Sequence, residues 1–70
     1  MSEAELLSRI TTDPEVGHGK PCLRGLRYPV EFVLEMLSVP TTVEQMLSDY
    51  PDLELDDIRA AFSFAARMSV

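Results

Sequence analysis

Three sets of side chains in this sequence have the types and spacing to do chemistry. The first is cationic: Lys20, Arg24 and Arg27 lie in one Gly- and Pro-rich stretch, and Arg59, Ser63 and Arg67 recur at intervals of four, on one stripe of a helix. Such groups are the usual contacts to a phosphate backbone. Beside turns they also pair with local acids, here Asp13 and Glu15, and both uses stay open. The second set is acidic: Asp49 and Asp52, then the adjacent Asp56 and Asp57. No His or further acid completes a coordination set around them, and two acids at a helix start ordinarily cap it. The third is Cys22 and His18, each the only one of its kind. Without a second ligand at metal spacing, Cys22 reads as a small apolar group. A Ser-His-acid triad needs a larger scaffold than 70 residues supply. The expectation is a binding protein, not an enzyme, with no metal and no cofactor.

The elements that position these groups follow from the punctuation. Gly17 to Val30 holds all three glycines, two of the five prolines (Pro21 and Pro29) and the single Lys. Helix interiors reject that density, which favours a short extended hairpin with close backbone approach. Gly25, between Arg24 and Leu26, is expected to need a positive φ or a tight contact. Residues 3–10 read as a short helix or an extended lead-in, the loose start being favoured, and a strand through Ile10 and Thr11 is expected to pair with the segment around Cys22 to Leu23. Val30 to Ser38 then reads as a helix, with Val30, Val33, Leu34 and Leu37 on one face. Thr41 with Glu44, or Thr42 with Gln45, opens a second helix that buries Val43, Met46, Leu47 and Tyr50 and stops at Pro51. A third begins near Glu54 or Leu55, with a core stripe of Leu55, Ile58, Ala61 or Phe62, and Ala65.

The expected fold is mainly α, one domain over residues 1–70. A β-hairpin platform over about residues 9–29 precedes three helices over 30–70 arranged like a homeodomain-like helix-turn-helix bundle. Phe32, Met36, Phe64 and Met68 exceed what so small a core covers, which points to an interface and a homodimer. Steeply packed short helices are also simply a small fold. If the bundle does meet operator DNA, the last helix is the reading helix.

Net charge is −6, unevenly spread. Lys20, Arg24 and Arg27 give residues 18–29 a charge of +3, while residues 30–70 carry eight acids against Arg59 and Arg67. An acidic chain is a poor non-specific ligand for nucleic acid and a good one for a basic protein. Asp56 and Asp57 at the start of the reading helix would repel phosphate. With Glu44, Asp49 and Asp52 they would instead steer a basic partner. No apolar run approaches the roughly 18 residues of a membrane span. The acidic start Met-Ser-Glu-Ala-Glu does not resemble a signal peptide, so a cytoplasmic location is expected.

An ordered set of short motifs adds a resemblance. Asp13-Pro14-Glu15-Val16, Gly19-Lys20-Pro21 and Arg24-Gly25-Leu26-Arg27-Tyr28-Pro29-Val30 are followed by Tyr50-Pro51-Asp52-Leu53, Asp56-Asp57-Ile58 and Ala60-Ala61. Together they resemble the domain-of-unknown-function family 433, over about residues 9–66. The resemblance implies a short prokaryotic antitoxin-like protein that neutralises a PIN-like ribonuclease toxin and represses its own operon. The runner-up is a homodimeric helix-turn-helix regulator without a toxin, and a third reading is a structural adaptor. Because Arg24 and Arg27 flank Gly25 inside the signature, it implies that they brace the turn. Leu26 stands where the family usually has Thr, Val39-Pro40 replaces a Gly-containing turn, and Glu54 replaces a Thr or Ser cap.

Overall fold

The computed structural model describes residues 2–68. Its first element is a helix where the sequence suggested a loose lead-in. Ser2 accepts from the Glu5 N–H at 3.2 Å and donates its own N–H to the Glu5 carboxylate at 3.4 Å. This reciprocal capping box starts α1, Glu3–Leu7. The hairpin follows as expected. β1, Ile10–Thr11, runs antiparallel to β2, Cys22–Leu23, with Ile10 opposite Leu23 and Thr11 opposite Cys22. Between the strands, Gly17–Gly19 form a 3₁₀ turn. Gly17 there has φ +63°, and a Cβ on it would stand 2.7 Å from the Cys22 sulfur.

After β2 the chain reverses over Leu23 to Leu26, whose ends are joined by a 2.8 Å hydrogen bond from the Leu26 N–H to the Leu23 carbonyl. Both central residues have positive φ, Arg24 at 50° and Gly25 at 70°, as in the primed turns that suit twisted hairpins. Gly25 occupies that conformation freely, whereas Arg24 is strained in it.

Pro29 then leads into α2, Val30–Leu37. α3, Val43–Asp49, starts in the second of the two capping registers: Thr42 accepts from the Gln45 N–H at 3.0 Å. α4, Leu55–Met68, is the long element against which α1, α2 and α3 all pack. Its position explains why three short helices cohere around it: each lacks enough length for stability alone and packs on α4.

The core contains Leu23, Val33, Met46, Leu53, Ile58 and Ala61. One sequence-based expectation for α4 fails, since Leu55 is 46% exposed; of the alternatives Ala61 or Phe62 it is Ala61 that is buried, Phe62 being 49% exposed, and Ala60 is fully buried beside it. The helix is rolled so that Asp57, Ile58, Ala61 and Phe64 face inward, because burying the Asp57 carboxylate fixes its rotation. Phe32 and Met36 are not surplus either. Both pack against the core, and Phe32 joins Tyr28 (centroids 6.2 Å apart) and Tyr50 (5.5 Å) in an aromatic cluster.

Candidate functional site

Asp57, expected on the surface as a partner contact, is the one fully buried charged residue among those described. It sits at the third position of α4 and accepts the Glu54 N–H at 2.9 Å, so it supplies the cap that Glu54 itself does not. Arg24 grips the same carboxylate side-on, with Nε 3.0 and 3.1 Å from its two oxygens and Nη2 at 2.9 Å. Arg9 adds Nη1 at 3.0 Å and also reaches Glu54 at 2.8 Å. The second nitrogen of the Arg24 fork donates to the Asp52 carbonyl at 2.6 Å, and the Arg24 N–H donates to the Arg9 carbonyl, also at 2.6 Å. The strained turn thereby ties β1, β2, the α3–α4 connection and the α4 N-terminus to one point.

Burial is the largest single influence on the Asp57 carboxyl and opposes its ionisation. Hydrogen bonds from Arg24, the Glu54 N–H and Arg9, with the Arg24 charge, outweigh it and hold the group below its ordinary 3.8. Arg9 is raised by its hydrogen bonds to Glu54 and Asp57, and Arg24 by its hydrogen bond to Asp57. The cluster is an internal brace that ties the turn to the start of α4. Arg24 holds the turn through Asp57 and not through the nearby Asp13 or Glu15.

The other candidate cations are largely matched as well. Lys20 pairs with Glu31 at 2.6 Å, Arg59 with Asp56 at 3.2 Å, and Arg67 with Glu3 across the chain. Hydrogen bonding to Glu31 raises the Lys20 ammonium. Among the described residues, Arg27 is the one Lys or Arg without an ion pair. Arg59, Ser63 and Arg67 do not make one exposed stripe, since Ser63 is half-buried. The outward face of α4 is instead Leu55, Arg59, Phe62 and Ala66, all exposed.

Two surfaces remain open. On α3 and the connection after it, Glu44, Asp49 and Asp52 are exposed and, among the described residues, in no ion pair. Between α2, α4 and Pro21 an apolar groove of about 500 Å³ is lined by Pro21, Val30, Leu34, Phe64 and Met68. A second depression of about 360 Å³ adjoins it, sharing Pro21, Phe64 and Met68 and adding Leu7 and Ile10. Of the four proposed interface side chains, Phe64 and Met68 meet at this groove; Phe32 and Met36 do not line it. Sequence reasoning missed Arg9, because its partner lies 48 residues away and no spacing rule connects them. It also missed Pro21 and Leu34 as groove walls, which only tertiary packing brings together.

Among the described residues no group of three His, Cys, Asp or Glu side chains is placed to hold a metal ion, and no helix is long and apolar enough to cross a membrane. The chain is 36% identical over 56 residues to the uncharacterized protein y4eO of Sinorhizobium fredii (strain NBRC 101917 / NGR234). The match covers 80% of this chain and 25% of that protein, so the chain spans about a quarter of the relative's length. No solved structure matches the chain significantly. The family model described as Protein of unknown function (DUF433) matches residues 10–65, from β1 through most of α4 and including both Arg24 and Asp57, and the chain belongs to that family.

Proposed function

We propose that this chain is a non-catalytic, antitoxin-like binding protein, acting in the cytoplasm, that neutralises a PIN-like ribonuclease toxin by covering a basic part of its surface. One observation carries the reading: five of the six Lys and Arg side chains are engaged by the chain's own carboxylates, while Glu44, Asp49 and Asp52 stay exposed and unmatched among the described residues. A surface of that kind attracts a cationic protein and repels phosphate. Repression of its own operon belongs to the toxin-bound complex, in which the partner contributes the missing positive charge. Co-expression with the product of the adjacent reading frame, followed by size-exclusion chromatography, tests the proposal. Co-elution with a small nuclease carrying clustered Asp residues supports it, and separate elution at micromolar concentration contradicts it.

The alternative is a homodimeric helix-turn-helix regulator without a toxin. It draws on the five-residue connection from Tyr50 to Glu54 that joins α3 to α4. The outward face of α4 weighs against it. Leu55 and Phe62 there flank a single cation, Arg59, which already pairs with Asp56. Aromatic, aliphatic and Arg side chains together suit a protein contact better than a phosphate backbone.

A further inference from the structure

The outward face of α4 carries two large apolar side chains, Leu55 and Phe62, that the fold does not use. Ile58, Ala60 and Ala61 already fill the core side of the helix, and burial of Asp57 turns the opposite side to solvent. Exposed singly, such residues are ordinary. Here they share one stripe with Arg59 and Ala66, at successive intervals of four, three and four residues. That alternation is the seam along which a second helix packs, and aromatic, aliphatic and Arg side chains make the strong points of protein contacts.

The stripe begins at an acidic end. Asp49, Asp52 and Glu54, all exposed, come just before Leu55. Arg24 donates to the Asp52 carbonyl at 2.6 Å and the Glu54 N–H donates to Asp57 at 2.9 Å, so the segment bearing these acids is fixed against the first turn of α4. Between residues 49 and 59 there are five carboxylates. Arg59 and the two guanidinium groups that reach in from Arg9 and Arg24 offset three of them, leaving an excess of two negative charges. Beyond Arg59 the stripe holds Phe62 and Ala66, and residues 60–70 contain no acid. A complementary surface is therefore apolar along its length and cationic at one end.

We infer that the α4 stripe from Leu55 to Ala66, with Asp49 and Asp52 at its start, docks an amphipathic helix of the basic partner. The apolar side chains of that helix cover Leu55 and Phe62, and its Lys or Arg side chains meet the two carboxylates. The inference rests on the reading of this chain as a ligand for a basic protein and supplies the apolar contacts of that encounter. Charge steers the partner in, and the stripe then holds it. Because the brace at Asp57 sets both the roll of α4 and the position of Asp52, the surface is formed before the partner arrives.

Two synthetic helices of about 14 residues, the length of α4, test it in a titration of the labelled chain followed by amide NMR shifts. One carries a Leu stripe flanked by Lys; the other keeps the Lys residues and replaces each Leu by Gln. The Leu/Lys helix is expected to saturate the chain, with shifts clustered from Asp52 to Ala66 and absent at Val30 and Leu34. Its Gln counterpart, and the Leu/Lys helix on the combined Leu55→Gln and Phe62→Gln chain, should each bind about tenfold more weakly. Met68→Gln, in the groove, should bind as wild type does, and circular dichroism melts check that each variant folds. Raising NaCl from about 50 to 500 mM should weaken binding. Absence of saturable binding overturns the inference, as do shifts centred on Val30 and Leu34 or a double variant that binds as tightly as wild type. The same double variant, titrated against the neighbouring PIN-like ribonuclease, separates the two claims. A chain that takes the Leu/Lys helix on this stripe but leaves the ribonuclease active refutes the toxin reading alone. Inhibition by the double variant at wild-type strength refutes the stripe alone.

Discussion

Replacing Asp57 exposes how much of the fold hangs on one carboxylate. Asp57→Ala removes the acceptor of two guanidinium groups and of the Glu54 N–H at once. Breaking a fully buried ion pair from one side costs about 3–5 kcal/mol. Here the Arg24 and Arg9 side chains keep 34% and 20% of their exposure, so water partly re-solvates them and about 2–4 kcal/mol is the better figure. Asp57→Asn keeps an oxygen for the Glu54 N–H and should recover about 1 kcal/mol, the usual worth of a helix cap. Against a total stability of about 4–10 kcal/mol for 70 residues, these are large fractions. The melting temperature of Asp57→Ala should fall by about 10–25 °C. Urea unfolding followed by circular dichroism measures the difference. Because the folded carboxyl lies below its ordinary 3.8, its stabilisation is complete above that value and is lost as pH falls through the lower folded value. The gap between wild type and Asp57→Asn should therefore hold from neutral pH to about pH 5 and narrow progressively as pH falls below about 4. Both variants lying within about 0.5 kcal/mol of wild type at pH 7 would refute the assignment of Asp57 as the fold's central brace.

Gly17→Ala should destabilise more than Gly25→Ala in the same unfolding assay. Both positions have positive φ, which costs about 1 kcal/mol for Ala, but only at Gly17 does the new Cβ also press on the Cys22 sulfur. Arg24→Lys should lower the melting temperature despite keeping the charge, because an ammonium cannot reproduce the fork that binds Asp57 side-on and the Asp52 carbonyl together. Glu44→Gln, Asp49→Asn and Asp52→Asn combined should slow association with a basic partner about tenfold at low salt, read by stopped-flow, while leaving the melting temperature within a few degrees.

The elements were legible where their chemistry is local. The glycines and prolines from Gly17 to Pro29 announced the hairpin, and Ile10 and Thr11 found Cys22 and Leu23 as expected. Thr42 with Gln45 and the stop at Pro51 marked α3. α1, left open between a short helix and a loose lead-in, carries its deciding sign in Ser2 and Glu5. What the sequence concealed depends on distance in the chain. Asp56 and Asp57 are adjacent and of one type, yet Asp56 is half-buried between Arg59 and the edge of Arg9, whereas Asp57 is fully buried under Arg9 and Arg24. Nothing local separates them. That choice sets the roll of α4, and the roll sends Leu55 and Phe62 outward against their hydrophobicity. The pairing of Phe64 with Met68 was foreseeable from α4 alone, whereas the groove they line also needs Pro21 and Leu34 brought from elsewhere.

The most direct test of the proposed role is a titration of the ribonuclease activity of the neighbouring PIN-like protein with this chain at physiological salt, run beside a binding assay of the isolated chain on DNA from its own promoter. Stoichiometric inhibition, weakened by the combined Glu44, Asp49 and Asp52 substitutions, with DNA bound only weakly until the toxin is added, is the expected result. Tight promoter binding by the isolated chain, with the ribonuclease unaffected, would contradict it.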